Sequence, residues 1–189
     1  MLLEDNVNKY PASWSPDGRF ILYVSTGTTT GNDLFVLPLS GDRKPVPFLQ
    51  TRFNEASGQF SPDGRWVAYQ SDESGKYEVY VAPFPGPGGK WQISTGGGIQ
   101  PRWGRDGTEI LYLALDNKLM VAAAKGKGGA FEVGAAKPLF GTHAMTGLGY
   151  SYDVSADGQK FLISSAPQQA GAAPATITVV VNWTAGLKK

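Results

Sequence analysis

The chain has 189 residues, enough for one domain with a buried core. Its 17 Lys and Arg balance 16 Asp and Glu to a formal charge of +1, and like charges never run longer than two, which argues against the basic stripe of a nucleic-acid binder. With no Cys and one His, His143, disulfides, zinc-thiolate sites, thiol nucleophiles and multi-His metal sites are excluded, and a Ser/His/Asp triad has one candidate base.

Leu2 and Leu3 are followed by the acidic pair Glu4 and Asp5, where a signal peptide would need a basic region before a long apolar one. No run of about 18 apolar residues exists to cross a membrane. The chain is then organised by a phrase that occurs four times: Ser15-Pro16-Asp17-Gly18, Ser61-Pro62-Asp63-Gly64, Gly104-Arg105-Asp106-Gly107 and Ser155-Ala156-Asp157-Gly158. The intervals are those of a repeat of about 40 to 50 residues, the length of a four-stranded propeller blade. An aromatic or apolar residue precedes each copy, in the column Trp14, Phe60, Trp103 and Val154.

Each phrase has the chemistry of a tight hairpin. Pro presets φ at the first corner, Asp bonds nearby backbone, and Gly takes the left-handed position. Asp17 and Gly18, Asp63 and Gly64, Asp106 and Gly107, and Asp157 and Gly158 are therefore read as structural turns. As a carboxylate cluster for metal or acid-base work they fail, because successive hairpins hold them apart, and no Asp-x-Asp-x-Asp calcium run exists.

The runs after the phrases are short, β-branched and aromatic: Phe20–Val24, Trp66–Tyr69, Ile110–Leu113 and Phe161–Ile163. They read as buried strands. Third strands follow at Leu34–Leu37, Val79–Ala82, Leu119–Ala122 and Ile177–Val181, and weaker edge strands at Val46–Leu49, Trp91–Ile93 and Lys137–Phe140, where Pro47 and Pro138 suit an edge. No amphipathic helix remains. The expectation is an all-β protein, a single β-propeller domain over residues 1–189, with four blades of four antiparallel strands at about 10–50, 56–95, 99–141 and 150–189. Residues 1–5 are a possible strand closing the last blade into a four-bladed ring. The alternative is an arc of a larger propeller, favoured because four blades are the tight extreme; open blade faces would then promote self-association.

One strand column varies where its neighbours repeat: Ser13, Gln59, Arg102 and Asp153. Such variation fits a channel-facing position, either solvated lining or a ligand contact, with Arg102 and Asp153 the best candidates for a polar ligand. His143, in a Gly/Thr-rich connection, reads as a surface or rim residue, since no Gly-x-Ser-x-Gly elbow accompanies it. The Gly-rich stretches 86–90 and 96–98 lack the Lys-Ser/Thr ending of a phosphate loop. The Asn182-Trp183-Thr184 sequon ends an expected buried strand, and 166–175 reads as a blade loop. No cofactor and no metal are expected.

Trp14-Ser15-Pro16-Asp17-Gly18-Arg19 and Phe60-Ser61-Pro62-Asp63-Gly64-Arg65, with Asp33-Leu34-Phe35-Val36 and Glu78-Val79-Tyr80-Val81 downstream, resemble the WD40-like propeller repeat of the TolB type. Leu119-Met120-Val121, Phe131-Glu132-Val133-Gly134, Pro138-Leu139-Phe140, 152–158 and 178–184 resemble the C-terminal end of propellers attached to bacterial membrane-anchored serine/threonine kinases. That resemblance implies a periplasmic or extracytoplasmic module that senses or binds a protein or peptide and is not itself an enzyme. The kinase loop, His-Arg-Asp and Asp-Phe-Gly motifs are missing from these residues. A gating propeller of a prolyl-oligopeptidase-type serine peptidase, without its hydrolase domain, is the alternative.

Overall fold

The structure, a computed structural model, describes residues 3, 6–86, 88–127, 129–144, 149–155, 157–165 and 177–181, with 28 and 177–181 described as backbone alone. The possible closing strand at 1–5 (apart from residue 3), Ala156 of the fourth phrase, the loop at 166–175 and the sequon at 182–184 lie outside these residues.

All regular structure among the described residues is β, in four antiparallel sheets that follow chain order. The first sheet is β1 (Lys9–Trp14), β2 (Phe20–Thr28), β3 (Gly31–Pro38) and β4 (Val46–Leu49), each paired with its sequence neighbour. The second repeats this with β5 (Glu55–Phe60), β6 (Trp66–Ser71), β7 (Glu78–Pro83) and β8 (Trp91–Gln92). The third holds β9 (Ile99–Trp103), β10 (Glu109–Leu113), β11 (Lys118–Lys127), β12 (Ala130–Val133) and β13 (Lys137–Gly141). The fourth has β14 (Tyr152–Val154), β15 (Lys160–Ser164) and β16 (Ile177–Val181).

The third sheet thus carries a strand beyond the expected four. β11 runs ten residues, and its far half pairs with β12 while its near half pairs with β13. β12 is held by Phe131, buried in an aromatic cluster with ring centroids 4.9 Å from Trp66, 5.8 Å from Trp91 and 6.0 Å from Trp103. β8 is shorter than expected, because Ile93 leaves the strand while its N–H still donates to the Val79 carbonyl at 2.8 Å.

The four phrases form one hairpin repeated. In the first, the Gly18 N–H donates to the Ser15 carbonyl at 2.9 Å, the Phe20 N–H donates to Ser15 Oγ at 2.9 Å, and the Ser15 hydroxyl donates to Asp17 Oδ1 at 2.7 Å. The second repeats these contacts through Ser61, Asp63 and Trp66, and the fourth through Ser155, Asp157 and Lys160. The third has Gly104 in place of Ser, and Thr108 supplies the missing hydroxyl, donating to Asp106 Oδ1 at 2.7 Å. Bonds from Ser15 and Arg19 hold the Asp17 carboxyl down at about 2. At Asp63 burial pushes upward, but the bonds from Ser61 and Arg65 outweigh it and the net direction is down.

Consecutive sheets pack face to face through three apolar cores. Leu22, Val24, Leu34 and Val36 of the first sheet meet Phe60, Val67, Tyr69 and Tyr80 of the second. Trp66, Ala68, Val79 and Val81 meet Trp103, Ile110, Tyr112 and Phe131 of the third. Leu111, Leu113 and Leu119 meet Tyr152, Phe161 and Ile163 of the fourth. Full burial of each large apolar side chain stabilises by about 1.5 to 3 kcal/mol. Gly58 permits the first contact, since a Cβ there would lie 2.5 Å from Leu22 Cδ2.

Gly64 sits at φ 68° with only Pro16 near a hypothetical Cβ, at 3.6 Å. Strain alone therefore governs replacement, at about 1 to 2 kcal/mol for a side chain in the left-handed region. Gly64→Val is expected to lower the melting temperature by several degrees; an unchanged value in a thermal scan contradicts the turn assignment.

Candidate functional site

The first strand of each sheet, β1, β5, β9 and β14, is an end strand with one ladder partner. Its outward N–H and C=O groups need partners from elsewhere wherever they are buried. Those partners come from the column Ser13, Gln59, Arg102 and Asp153. Ser13 Oγ accepts from the Phe60 N–H at 3.2 Å. Gln59 Oε1 accepts from the Trp103 N–H at 2.7 Å, and the Gln59 carbonyl accepts from the Trp103 indole at 3.1 Å. Arg102 has only donors, so its Nε donates to the Tyr152 carbonyl at 3.2 Å. The Val154 N–H, which Arg102 cannot serve, donates to Asp153 Oδ1 at 2.9 Å.

Variation along this column fits solvated lining or a ligand contact, and in the structure each of the first three side chains bonds the end strand of the following sheet. The requirement is one polar atom within reach of a main-chain group, which Ser, Gln and Arg all meet. The structure brings Arg102 and Asp153 together, with Nη1 3.5 Å from Oδ1, and lays the Arg102 guanidinium 4.0 Å from the Tyr150 ring centroid. Ser13 and Gln59 bond to separate junctions. His143 is exposed in the connection after β13.

Gln100 was not singled out by the sequence, and it is the hub between the second and fourth sheets. It is buried, its N–H donates to Gln70 Oε1 at 2.9 Å, and its Nε2 donates to the Gly149 carbonyl at 2.8 Å. Its Oε1 accepts from the Ser151 N–H at 2.7 Å, and its carbonyl accepts from the Tyr152 hydroxyl at 3.0 Å. Tyr150 reaches past the third sheet to donate to the Ser57 carbonyl at 2.9 Å. Burial pushes the Tyr150 and Tyr152 hydroxyls above their ordinary range, against the pull of Arg102. Pro11, Ser57, Gln100 and Ser151 all stand three residues before the aromatic column, and in the structure register shifts interrupt the pairing there in the first three sheets.

A cleft of about 460 Å³ opens beside this hub, lined by Ser57, Gln70, Tyr77, Gln100, Leu115 and Asn117 with Ile99 and Ala114. Four non-glycine residues among the described ones have positive φ, and three of them line this cleft: Ser57 at 51°, Gln100 at 55° and Asn117 at 62°. Ser57 and Gln100 each cost on the order of 1 kcal/mol or more in this region, which Asn adopts more readily, and such strain concentrates at functional sites. The lining holds amides, hydroxyls and an exposed leucine, with no charged side chain. Among the described residues no group of three or more potential metal ligands occurs.

No protein-family model matches the chain, and no curated protein matches it. Its likeness is to solved structures. TolB from Acinetobacter baumannii superposes with a TM-score of 0.67 at 18% identity, over 96% of this chain and 43% of that one. This fold is the β-propeller. The putative TolB from Agrobacterium tumefaciens gives 0.57 at 20% identity, over 73% and 52%. The β-propeller domain of the Trilobed protease from Pyrococcus furiosus gives 0.50 at 13%, over 93% and 69%. The chain spans about half the length of the TolB structures it matches or less.

The bonds that Trp103 donates to Gln59 close a junction between two propeller blades. Gln59→Ala strands the buried Trp103 N–H at a cost of about 1 to 3 kcal/mol. Urea unfolding should show that loss, while Gln59→Glu, which keeps an acceptor, should lose less; equal stability of all three proteins contradicts the fastening role.

Proposed function

We propose that the chain is a non-catalytic interaction module that binds a protein or peptide at the cleft beside Gln100. The observation that carries this reading is the gathering of Ser57, Gln100 and Asn117, each in the left-handed region, around one neutral cleft. The strain at Ser57 and Gln100 is held in place by the surrounding structure, and such outliers cluster at binding sites. Gln70, Tyr77 and Asn117 offer hydrogen-bonding groups matched to peptide amides, and Leu115, 53% exposed, offers an apolar contact. No charge in the lining selects an anion or a cation.

The sequence likeness to propellers attached to membrane-anchored serine/threonine kinases supports placing this module outside the cytoplasm, as the sensing part of such a kinase. The transcript that carries these codons is the check on that placement: upstream kinase motifs and a membrane span are expected, and their absence overturns the kinase placement without touching the binding reading.

A random peptide library selected against the chain tests the binding itself. Selected peptides should bind by titration calorimetry, and Leu115→Asp, at an exposed position, should weaken them about tenfold or more, a loss of about 1.4 kcal/mol, with the melting temperature unchanged. A library that yields no binder, or binders indifferent to Leu115→Asp, overturns the reading.

A further inference from the structure

Each of the first two blades buries an acid near the start of its third strand, Asp33 in β3 and Glu78 in β7. Glu78 accepts from the Ser94 hydroxyl and from the Gly97 N–H at 2.8 Å, and the Lys76 ammonium stands 3.6 Å away. Asp33 accepts from the Thr30 hydroxyl at 2.7 Å and from the Gln50 amide at 3.4 Å. Where β3 packs on β5, however, the first junction buries a second acid, Glu55. Asp33 is 0% and Glu55 1% exposed.

Glu55 is poorly provided for as a charge. Its Oε1 accepts from the Thr51 hydroxyl at 2.5 Å, while its Oε2 is buried with no hydrogen-bond partner. Among the described residues no ion pair includes Glu55. Arg52, close in sequence, is exposed and lies 4.9 Å from the Phe53 ring centroid. The titratable groups that face Glu55 are Asp33 from β3, Tyr69 from β6 and Asp72 from the turn after β6. Asp72 accepts from the Asn54 N–H at 2.9 Å and from its side-chain amide at 2.8 Å. A carboxylate at Glu55 would therefore be buried with one donor and two like charges nearby, an arrangement that favours the neutral acid.

We infer that Glu55 is a proton-binding site of the folded chain, a neutral carboxylic acid with its proton on Oε2 that makes the junction of the first two blades sensitive to pH. Burial is the largest cause pushing this carboxyl up, Asp33 and Asp72 add to it, and the Thr51 bonds oppose it without prevailing. The folded chain thus keeps a proton that the unfolded chain gives up. The stability tied to Glu55 is fully present below its ordinary value and is lost as pH rises through the folded midpoint. Every group in this argument belongs to the first two blades, and it does not depend on the cleft beside Gln100.

Urea unfolding of the whole chain from acid to alkaline pH, alongside Glu55→Gln, tests this. The amide keeps an acceptor for Thr51 and carries no charge at any pH. The native chain should fall behind the variant as pH rises, the ratio of their unfolding constants growing about tenfold for each pH unit between the ordinary 4.5 and the folded midpoint. Carbon-13 carboxyl NMR of the native chain gives that midpoint directly, above 4.5 by expectation, and keeps the test open should Glu55→Gln not fold. Parallel pH profiles, or a Glu55 midpoint at or below 4.5, overturn the inference. Stabilisation of the native chain by added calcium that Glu55→Gln abolishes would put a cation at Oε2 in place of the proton, and overturns it too.

Discussion

The structure depends on how the end strand of each blade satisfies its outward main-chain groups. An end strand has one ladder partner, and packing it against another sheet would bury N–H groups with nothing to receive them. Here the preceding blade supplies the acceptor: Ser13 for Phe60 and Gln59 for Trp103. Where the chemistry reverses at Arg102, the bond reverses too, running from guanidinium to carbonyl. The apolar cores give the bulk of the attraction between blades, but they are non-directional. The polar bonds fix which residue faces which, and so hold the blades in one register.

Much of this architecture was legible in the sequence because its hairpins are built from local chemistry. Ser, Asp and Gly at fixed offsets bond one another and need no distant partner, so the phrase at 15, 61, 104 and 155 announces its own geometry, and Thr108 compensates where Ser is lost. The apolar runs between phrases are likewise legible, since blades buried on both faces need continuous apolar strands. The β12 strand was not legible: it depends on Phe131 finding Trp66, Trp91 and Trp103, which are distant in sequence.

The candidate site was less legible still. A column that bonds main chain tolerates any polar side chain, so its variability gives no sign of its role. Gln100 is significant because of where its N–H, carbonyl and amide point, toward Gln70, Tyr152, Gly149 and Ser151, and none of those directions follows from the residue type. Left-handed backbone at Ser57 and Gln100 is equally silent in the sequence, because neither is glycine. The cleft therefore emerges only when the blades are assembled, from residues of two blades whose strain is held in place by their neighbours.

Native-state hydrogen exchange tests most directly whether these bonds make the blades one cooperative unit. The Phe60 and Trp103 amides, which bond across junctions, should exchange with the same protection as the Ala68 and Tyr112 amides inside their sheets, so that all open together in global unfolding. Junction amides that exchange through a far cheaper opening while the sheet interiors stay protected would mean that the blades part independently, and would contradict the fastening role of the end strands.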